Sequence, residues 1–209
     1  AGPRRRARCR VWRAWVAAGG RSWAGVRAPL RVAGAGRVAG GVGTGREAAE
    51  CCRALAGLSA VVFDLPTALR SAEDLLGEPE LAGRISLQPG DFLGDDLGHG
   101  FDVALLINII HGLSEEENRR LIGRVAQALS PGGMIVLAEQ FAGRAPGPAV
   151  HALQPLLDLT YHLTMRGRTY RYADTPAWPT AAGFDRPRRH SLPAPTPTST
   201  DWAHAARAA

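Results

Sequence analysis

Residues 101–140, FDVALLINIIHGLSEEENRRLIGRVAQALSPGGMIVLAEQ, leave the chain little freedom of fold, because they read as one strand-helix-strand unit. The run 103–110 is almost unbroken in apolar residues, as a strand covered on both faces of a parallel sheet must be. His111 closes that run. Ser114 followed by Glu117 has the spacing of a capping box, and Leu121, Ile122, Val125 and Leu129 then recur on one helical face. Pro131, Gly132 and Gly133 end the helix, and a second apolar run, 134–138, delivers Glu139 to its far end. Parallel strands joined by a crossover helix present their carboxyl ends on one edge of the sheet, where open α/β sheets hold ligands. His111 and Glu139 are therefore predicted to share a cleft.

Elsewhere strand and helix alternate. Residues 34–45, GAGRVAGGVGTG, form a glycine-rich turn opening a helix over 46–58, with Ala48, Cys52 and Leu55 on one side. A short strand over 59–63 ends at Asp64, a helix over 67–76 follows Pro66, and a brief strand over 85–87 leads to Gly90, Asp91 and Phe92. Beyond the central unit, 149–165 is apolar at helical spacing but contains Pro155, which is expected to kink or split it. Pro176 and Pro179 limit a helix over 174–183 to a turn or two, and 188–192 supplies one more strand. The pattern predicts an α/β fold with a doubly wound, mostly parallel sheet over residues 34–192. Residues 1–33 show no sustained apolar period and read as a basic, disordered extension. The Pro- and Thr-rich residues 193–209 read as a tail unable to supply a central strand.

The formal charge of +6 conceals an asymmetry, since residues 1–46 carry +11 and residues 47–209 carry −5. An acidic globular part offers no footprint for nucleic acid, so any such binding belongs to the N-terminal arm and would show a steep salt dependence. No stretch reaches the roughly 18 consecutive apolar residues that span a bilayer, and no membrane association is expected. Cys9, Cys51 and Cys52 are odd in number, and the last two are neighbours on a helix, where ordinary disulfide geometry cannot join them. That fits a reducing, cytoplasmic setting. None of the three has His or acidic partners at metal-ligand spacing, so no metal site is predicted.

Four titratable residues, Asp64, Asp91, His111 and Glu139, fall at the ends of successive predicted strands, beside the glycine-rich turn. Glycines let a ligand approach the backbone, and the helix that follows offers free N–H groups and a positive dipole end, which suits a cofactor bearing a carboxylate or a phosphate. Two registers compete. Gly34, Gly36 and Ala39 match the dinucleotide pattern G-x-G-x-x-A, but no apolar strand precedes them, and Asp64 lies 28 residues beyond Gly36 instead of about 20. Gly41, Gly43 and Gly45 open directly into the helix, and Asp64 lies 19 residues after Gly45, where it can accept hydrogen bonds from ribose hydroxyls. Taken singly, each residue has a plainer reading. Asp64 could cap the next helix, Asp91 could form a turn, Phe92 could be core, and His111 could be a packed strand-end histidine. Their order, and the pairing of His111 with Glu139, favours a site. His151 and His162 read as partly buried fillers, with His162 and Met165 as candidate walls of a substrate pocket.

In order, the motifs GGVGTG, VVFDLP, GDFL, IIHGLSEEE, LSPGG, VLAEQF and AAGF make residues 37–184 resemble the S-adenosylmethionine-dependent O-methyltransferases of the plant caffeate and animal acetylserotonin type, with their bacterial relatives. The resemblance implies a class I, Rossmann-like methyltransferase fold with S-adenosyl-L-methionine as cofactor. It implies that Gly41, Gly43 and Gly45 approach the cofactor, that Asp64 holds its ribose, and that Asp91 and Phe92 border its adenine. It also implies His111 as catalytic base and Glu139 as the carboxylate orienting it. Three departures stand out. Ala39 occupies a position that is usually acidic, and Thr169 and Tyr170 stand where a second acid beside the histidine is expected. Residues 1–33 do not match the N-terminal helical domain that dimerises these enzymes and closes their pocket, which leaves a homodimer without its usual contact.

The expected reaction moves a methyl group to a hydroxyl of a small, aromatic acceptor. A sulfonium already activates the methyl, so the protein must align the acceptor oxygen and remove its proton, effects worth roughly 7–11 kcal/mol and about 10²- to 10⁴-fold. A phenol, with a pKa of about 10, asks less of an imidazole than an alkyl alcohol does. Two rival readings remain. One is a non-catalytic remnant that keeps the fold and the cofactor, favoured by Ala39 and the unmatched helical domain. The other is a nicotinamide-dependent oxidoreductase using Gly34, Gly36 and Ala39.

Overall fold

The computed structural model describes residues 37–41, 45–73, 78–143, 148–191 and 201–207. Its strands are β1 (Arg37–Gly41), β2 (Ser59–Asp64), β3 (Ile85–Pro89), β4 (Phe101–Ile107), β5 (Leu129–Glu139), β6 (Arg188–Ser191) and β7 (Asp201–Ala206). They form one sheet in the order β3-β2-β1-β4-β5-β7-β6. The first five run parallel to one another, and β7 runs antiparallel to both β5 and β6. The helices are α1 (Arg46–Ala54), α2 (Pro66–Leu69, continued by a 3-10 turn at Arg70–Ala72), α3 (Glu115–Ala128), α4 (Pro148–Met165) and α5 (Ala177–Ala181). The doubly wound, mostly parallel sheet is as expected.

Both faces of the sheet are covered, which explains the unbroken apolar run of β4. Val103, Leu105 and Ile107 pack with Ala60, Val62 and Val136 against Ala48, Ala49 and Cys52 of α1. Ala104 and Leu106 point the other way and pack with Val61, Ile135 and Leu137 against Leu121, Ile122 and Val125 of α3 and Trp178 of α5.

The start of α3 is fixed by the capping box. The Ser114 hydroxyl accepts from the Glu117 N–H at 3.2 Å, and the Glu117 carboxylate accepts from the Ser114 N–H at 2.8 Å. Ser114→Ala is expected to cost about 1 kcal/mol, read as a fall in Tm of about 2–4 °C. Hydrogen bonds from the Ser114 backbone, then from its hydroxyl, hold the Glu117 carboxyl below its ordinary value. A depressed carboxylate stabilises the fold above its unfolded pKa and loses that contribution as pH falls through the folded one. The Tm gap between wild type and Glu117→Gln should therefore close on acidification below the carboxylate range.

Several elements depart from the sequence reading. The glycine-rich segment 34–45 is not all turn, because Arg37–Gly41 is the central strand β1. The segment 193–209 is not wholly a tail, because Asp201–Ala206 forms β7 inside the sheet, between β5 and β6. The proline argument holds only for Pro193, Pro195 and Pro197, none of which lies in that strand. Pro155 neither splits nor ends its helix, as α4 runs through it for 18 residues. The helix after Pro66 is interrupted by the 3-10 turn at Arg70–Ala72, and residues 74–77 lie outside the described residues, as do residues 1–36. No helix among the described residues is long and apolar enough to cross a membrane.

Candidate active site

The strand order reverses between β1 and β4, the switch point at which open α/β sheets bind ligands. At the end of β4, Asn108 adopts a left-handed conformation with φ 53°, a region asparagine tolerates better than most residues. Its N–H donates to the Ala138 carbonyl at 2.9 Å, which folds the chain over the end of β5. Ile110–Gly112 then makes a single 3-10 turn. His111 thus sits just past the strand, not on its last residue. The apolar run continues into this turn because Ile110 is itself core, 1% exposed.

The turn brings His111 onto Glu139. The His111 Nδ1 lies 2.8 Å from Glu139 Oε1, and its backbone N–H points at Oε2 from 3.4 Å. Both side chains are buried, Glu139 at 1% exposure and His111 at 8%. An ionised carboxylate can only accept, so the proton of a neutral imidazole belongs on Nδ1 and the lone pair on Nε2. Glu139 Oε1 also takes the Gln140 N–H at 2.8 Å, which fixes the carboxylate.

Four further residues hold the turn. The buried Asn118 amide donates to the Ile110 carbonyl at 2.9 Å and to that of Leu113 at 3.4 Å, and the Tyr170 hydroxyl donates to the Leu113 carbonyl at 2.6 Å. The Arg168 N–H donates to the His111 carbonyl at 2.9 Å. The Tyr161 ring stacks on the imidazole, with centroids 4.0 Å apart and planes inclined by 11°. Sequence reasoning missed all four residues. Only Asn118 left a signal, as a polar residue on the apolar stripe of α3, three and four positions before Leu121 and Ile122.

No acid stands on the other side of the histidine at Thr169 or Tyr170. Thr169 instead donates its N–H and its hydroxyl to Asp158 Oδ1, at 2.6 and 2.7 Å. Burial works against the Asp158 carboxylate, but those bonds and the Arg168 and His162 charges hold it below the ordinary carboxylate range. His162 is exposed and not a buried filler, and the side chain of His151 lies outside the described residues. Met165 borders the turn, since a β-carbon on Gly112 would meet its sulfur at 3.6 Å.

The proposed cofactor residues lie on neighbouring strand ends. Gly41 ends β1, and Gly43 falls outside the described residues. Gly45 is buried at the start of α1 with φ 62°, a left-handed geometry that glycine adopts without strain. Among the described residues no side chain caps α1 at Gly45. Asp64 does not cap α2. The N-cap is Leu65, Asp64 Oδ1 accepts only the Leu65 N–H at 2.8 Å, and Oδ2 bonds no described residue. Asp91 is a turn former, exposed, with Oδ1 on the Leu93 N–H at 2.8 Å. Phe92 packs on the second core cluster, half-buried. In the first turn of α1, burial pushes the Glu47 carboxyl up against the pull of its own N–H and of Arg46, and its Oε2 is buried with no hydrogen-bond partner among the described residues. An uncapped helix start beside a strand-end carboxylate fits a cofactor that combines an anionic group with a ribose. The nicotinamide register does not fit, because Ala39 lies within β1 and not in the turn that follows it. Among the described residues no cluster could hold a metal ion.

Residues 37–185 match the O-methyltransferase domain family. The chain belongs to that family. It is 30% identical over 148 residues to 3-hydroxy-5-methyl-1-naphthoate 3-O-methyltransferase of Streptomyces sahachiroi, a match covering 71% of this chain and 42% of the relative. It is also 30% identical over 146 residues to acetylserotonin O-methyltransferase of Rattus norvegicus, covering 70% of this chain and 33% of that one. The chain spans less than half the length of these relatives. The O-methyltransferase fold aligns with the crystal structure of the S-adenosylmethionine-dependent methyltransferase SibL in its apo form at a TM-score of 0.69 and 27% identity, covering 84% of this chain and 51% of that one. The fold is that of a class I, Rossmann-like methyltransferase.

Proposed function

We propose that this chain is an S-adenosylmethionine-dependent O-methyltransferase domain that methylates a hydroxyl of a small aromatic molecule, with His111 as general base and Glu139 as its orienting carboxylate. The observation that carries this reading is the buried 2.8 Å contact between His111 Nδ1 and Glu139 Oε1 at the carboxyl edge of the sheet. The Streptomyces relative, whose name places the methylated hydroxyl on a naphthoate, supports an aromatic acceptor. Buried, free Cys51 and Cys52, whose thiols burial pushes up, support a reducing, cytoplasmic setting.

When bound, S-adenosylmethionine supplies a methyl already activated on a sulfonium. Gly45 and the start of α1 would hold the anionic end of such a molecule, and the Asp64 carboxylate would accept from its ribose. Nε2 of His111 takes the acceptor's hydroxyl proton, and Glu139 stabilises the imidazolium that results. Without a carboxylate on Nδ1 the ring could turn or hold the wrong tautomer, and Nε2 would lose its lone pair.

Calorimetric titration tests the cofactor. Wild type should bind S-adenosylmethionine and not NAD, and Asp64→Ala should weaken it about 10- to 100-fold, the range for a lost hydrogen bond to a charged group. Tighter binding of NAD, or an Asp64→Ala titration like that of wild type, overturns the assignment. A panel of small phenols, followed by formation of S-adenosylhomocysteine, tests the reaction. Cofactor binding with no turnover of any of them favours the non-catalytic reading.

A further inference from the structure

We propose that Tyr161 is a positioning residue for His111, one that fixes the plane of the imidazole by lying flat against it. This rests on the reading of His111 as the proton acceptor. The contacts already described hold the His111 backbone at both ends and its ring at one atom, Nδ1. A single hydrogen bond leaves a planar ring free to rock about the bond axis, and that rocking swings Nε2. A second ring stacked at 4.0 Å and 11° removes this freedom.

Tyr161 is itself anchored, and at the same strand end. Its hydroxyl donates to Gln140 Oε1 at 3.2 Å, and the Gln140 N–H donates at 2.8 Å to Glu139 Oε1, the oxygen that faces His111 Nδ1. Consecutive residues at the end of β5 therefore set both rings, Glu139 by the edge of one and Gln140 by the hydroxyl of the other. Burial, and then the Glu139 charge, push the Tyr161 phenol up, so it stays a neutral donor to Gln140. Tyr161 is half-buried on the face of α4 opposite its exposed leucines. Leu156, Leu159 and Leu163 on the same helix are 57%, 52% and 72% exposed.

The test compares Tyr161→Leu with Tyr161→Phe in the full chain. Turnover of a small phenol, calorimetric affinity for S-adenosylmethionine and the NMR resonances of the His111 ring protons are read on each. Tyr161→Leu should lower kcat about 10- to 100-fold, as misplacement of a reacting group does. Its cofactor affinity should hold, and the His111 ring protons should move downfield as the ring current is lost. Tyr161→Phe keeps the stack without the hydroxyl and should restore most of the turnover and the upfield resonances. Wild-type kcat in Tyr161→Leu, or a Tyr161→Phe variant as impaired as Tyr161→Leu, overturns the proposal. If the wild-type chain turns over no phenol, the reading of the reaction falls and the resonances still decide. Unmoved His111 signals in Tyr161→Leu then overturn the positioning role, and a downfield shift supports it.

Discussion

His111→Ala is expected to cut turnover of a phenolic acceptor by about 10²- to 10⁴-fold, the range for a lost general base. Affinity for S-adenosylmethionine should barely change, because Gly45 at the start of α1 and Asp64 at the end of β2 belong to other elements than the histidine turn. The expected signature is a fall in kcat at nearly constant cofactor Kd. Raising the pH toward about 10 should recover part of the loss, since a phenol that ionises unaided no longer needs a base. Glu139→Gln should cost less than His111→Ala. The amide oxygen can still accept from His111 Nδ1 and the Gln140 N–H, but its NH₂ must then face the His111 N–H, donor against donor, across the 3.4 Å that Oε2 now spans. Equal turnover by wild type and His111→Ala would reduce the histidine to a packed residue of the turn, and a His111→Ala variant that loses cofactor binding would make its role structural.

How much of this was legible depended on whether one segment carried its own reason for its shape. The unit from β4 to β5 did, with two apolar runs and a reciprocal cap at Ser114 and Glu117, so the pairing of His111 with Glu139 could be anticipated from topology alone. The strand β1 did not. Its residues RVAGG hold two glycines, which carry no β signal, and only its place between β2 and β4 makes it a strand. β7 was hidden for a related reason, since the prolines before it marked the whole segment as a tail, and its pairing with β5 is more than sixty residues distant. The helix α4 misled in the opposite direction. It is apolar at helical spacing, yet Leu156, Leu159 and Leu163 face outward, and the residue that matters at the site is Tyr161. That stack joins residues 50 apart in sequence, and no local pattern announces it.

Gly167 carries the other large effect. It is buried in the link after α4, where its N–H donates to the Tyr161 carbonyl at 3.1 Å and the next N–H, of Arg168, reaches the His111 carbonyl. A β-carbon at this position would lie 1.8 Å from the His111 carbonyl oxygen, 2.8 Å from its carbon and 2.9 Å from Gly112 Cα. All three are backbone atoms that cannot step aside as the end of a side chain can. Gly167→Ala must therefore lift the link from the turn, break the bond from Arg168 and shift the imidazole against Glu139. The overpacking should cost about 1–3 kcal/mol, visible as a Tm lower by several degrees. A displacement of about 1 Å at the base should lower kcat by about 10²-fold. Gly123→Ala is the matched control. It lies inside α3, a β-carbon there meets nothing within 4 Å, and a helical glycine costs about 0.5–1 kcal/mol relative to alanine, so this variant should be more stable than wild type. One methyl group should thus act with opposite sign at the two glycines. If Gly167→Ala keeps both the Tm and the turnover of wild type, the link does not press on the histidine turn.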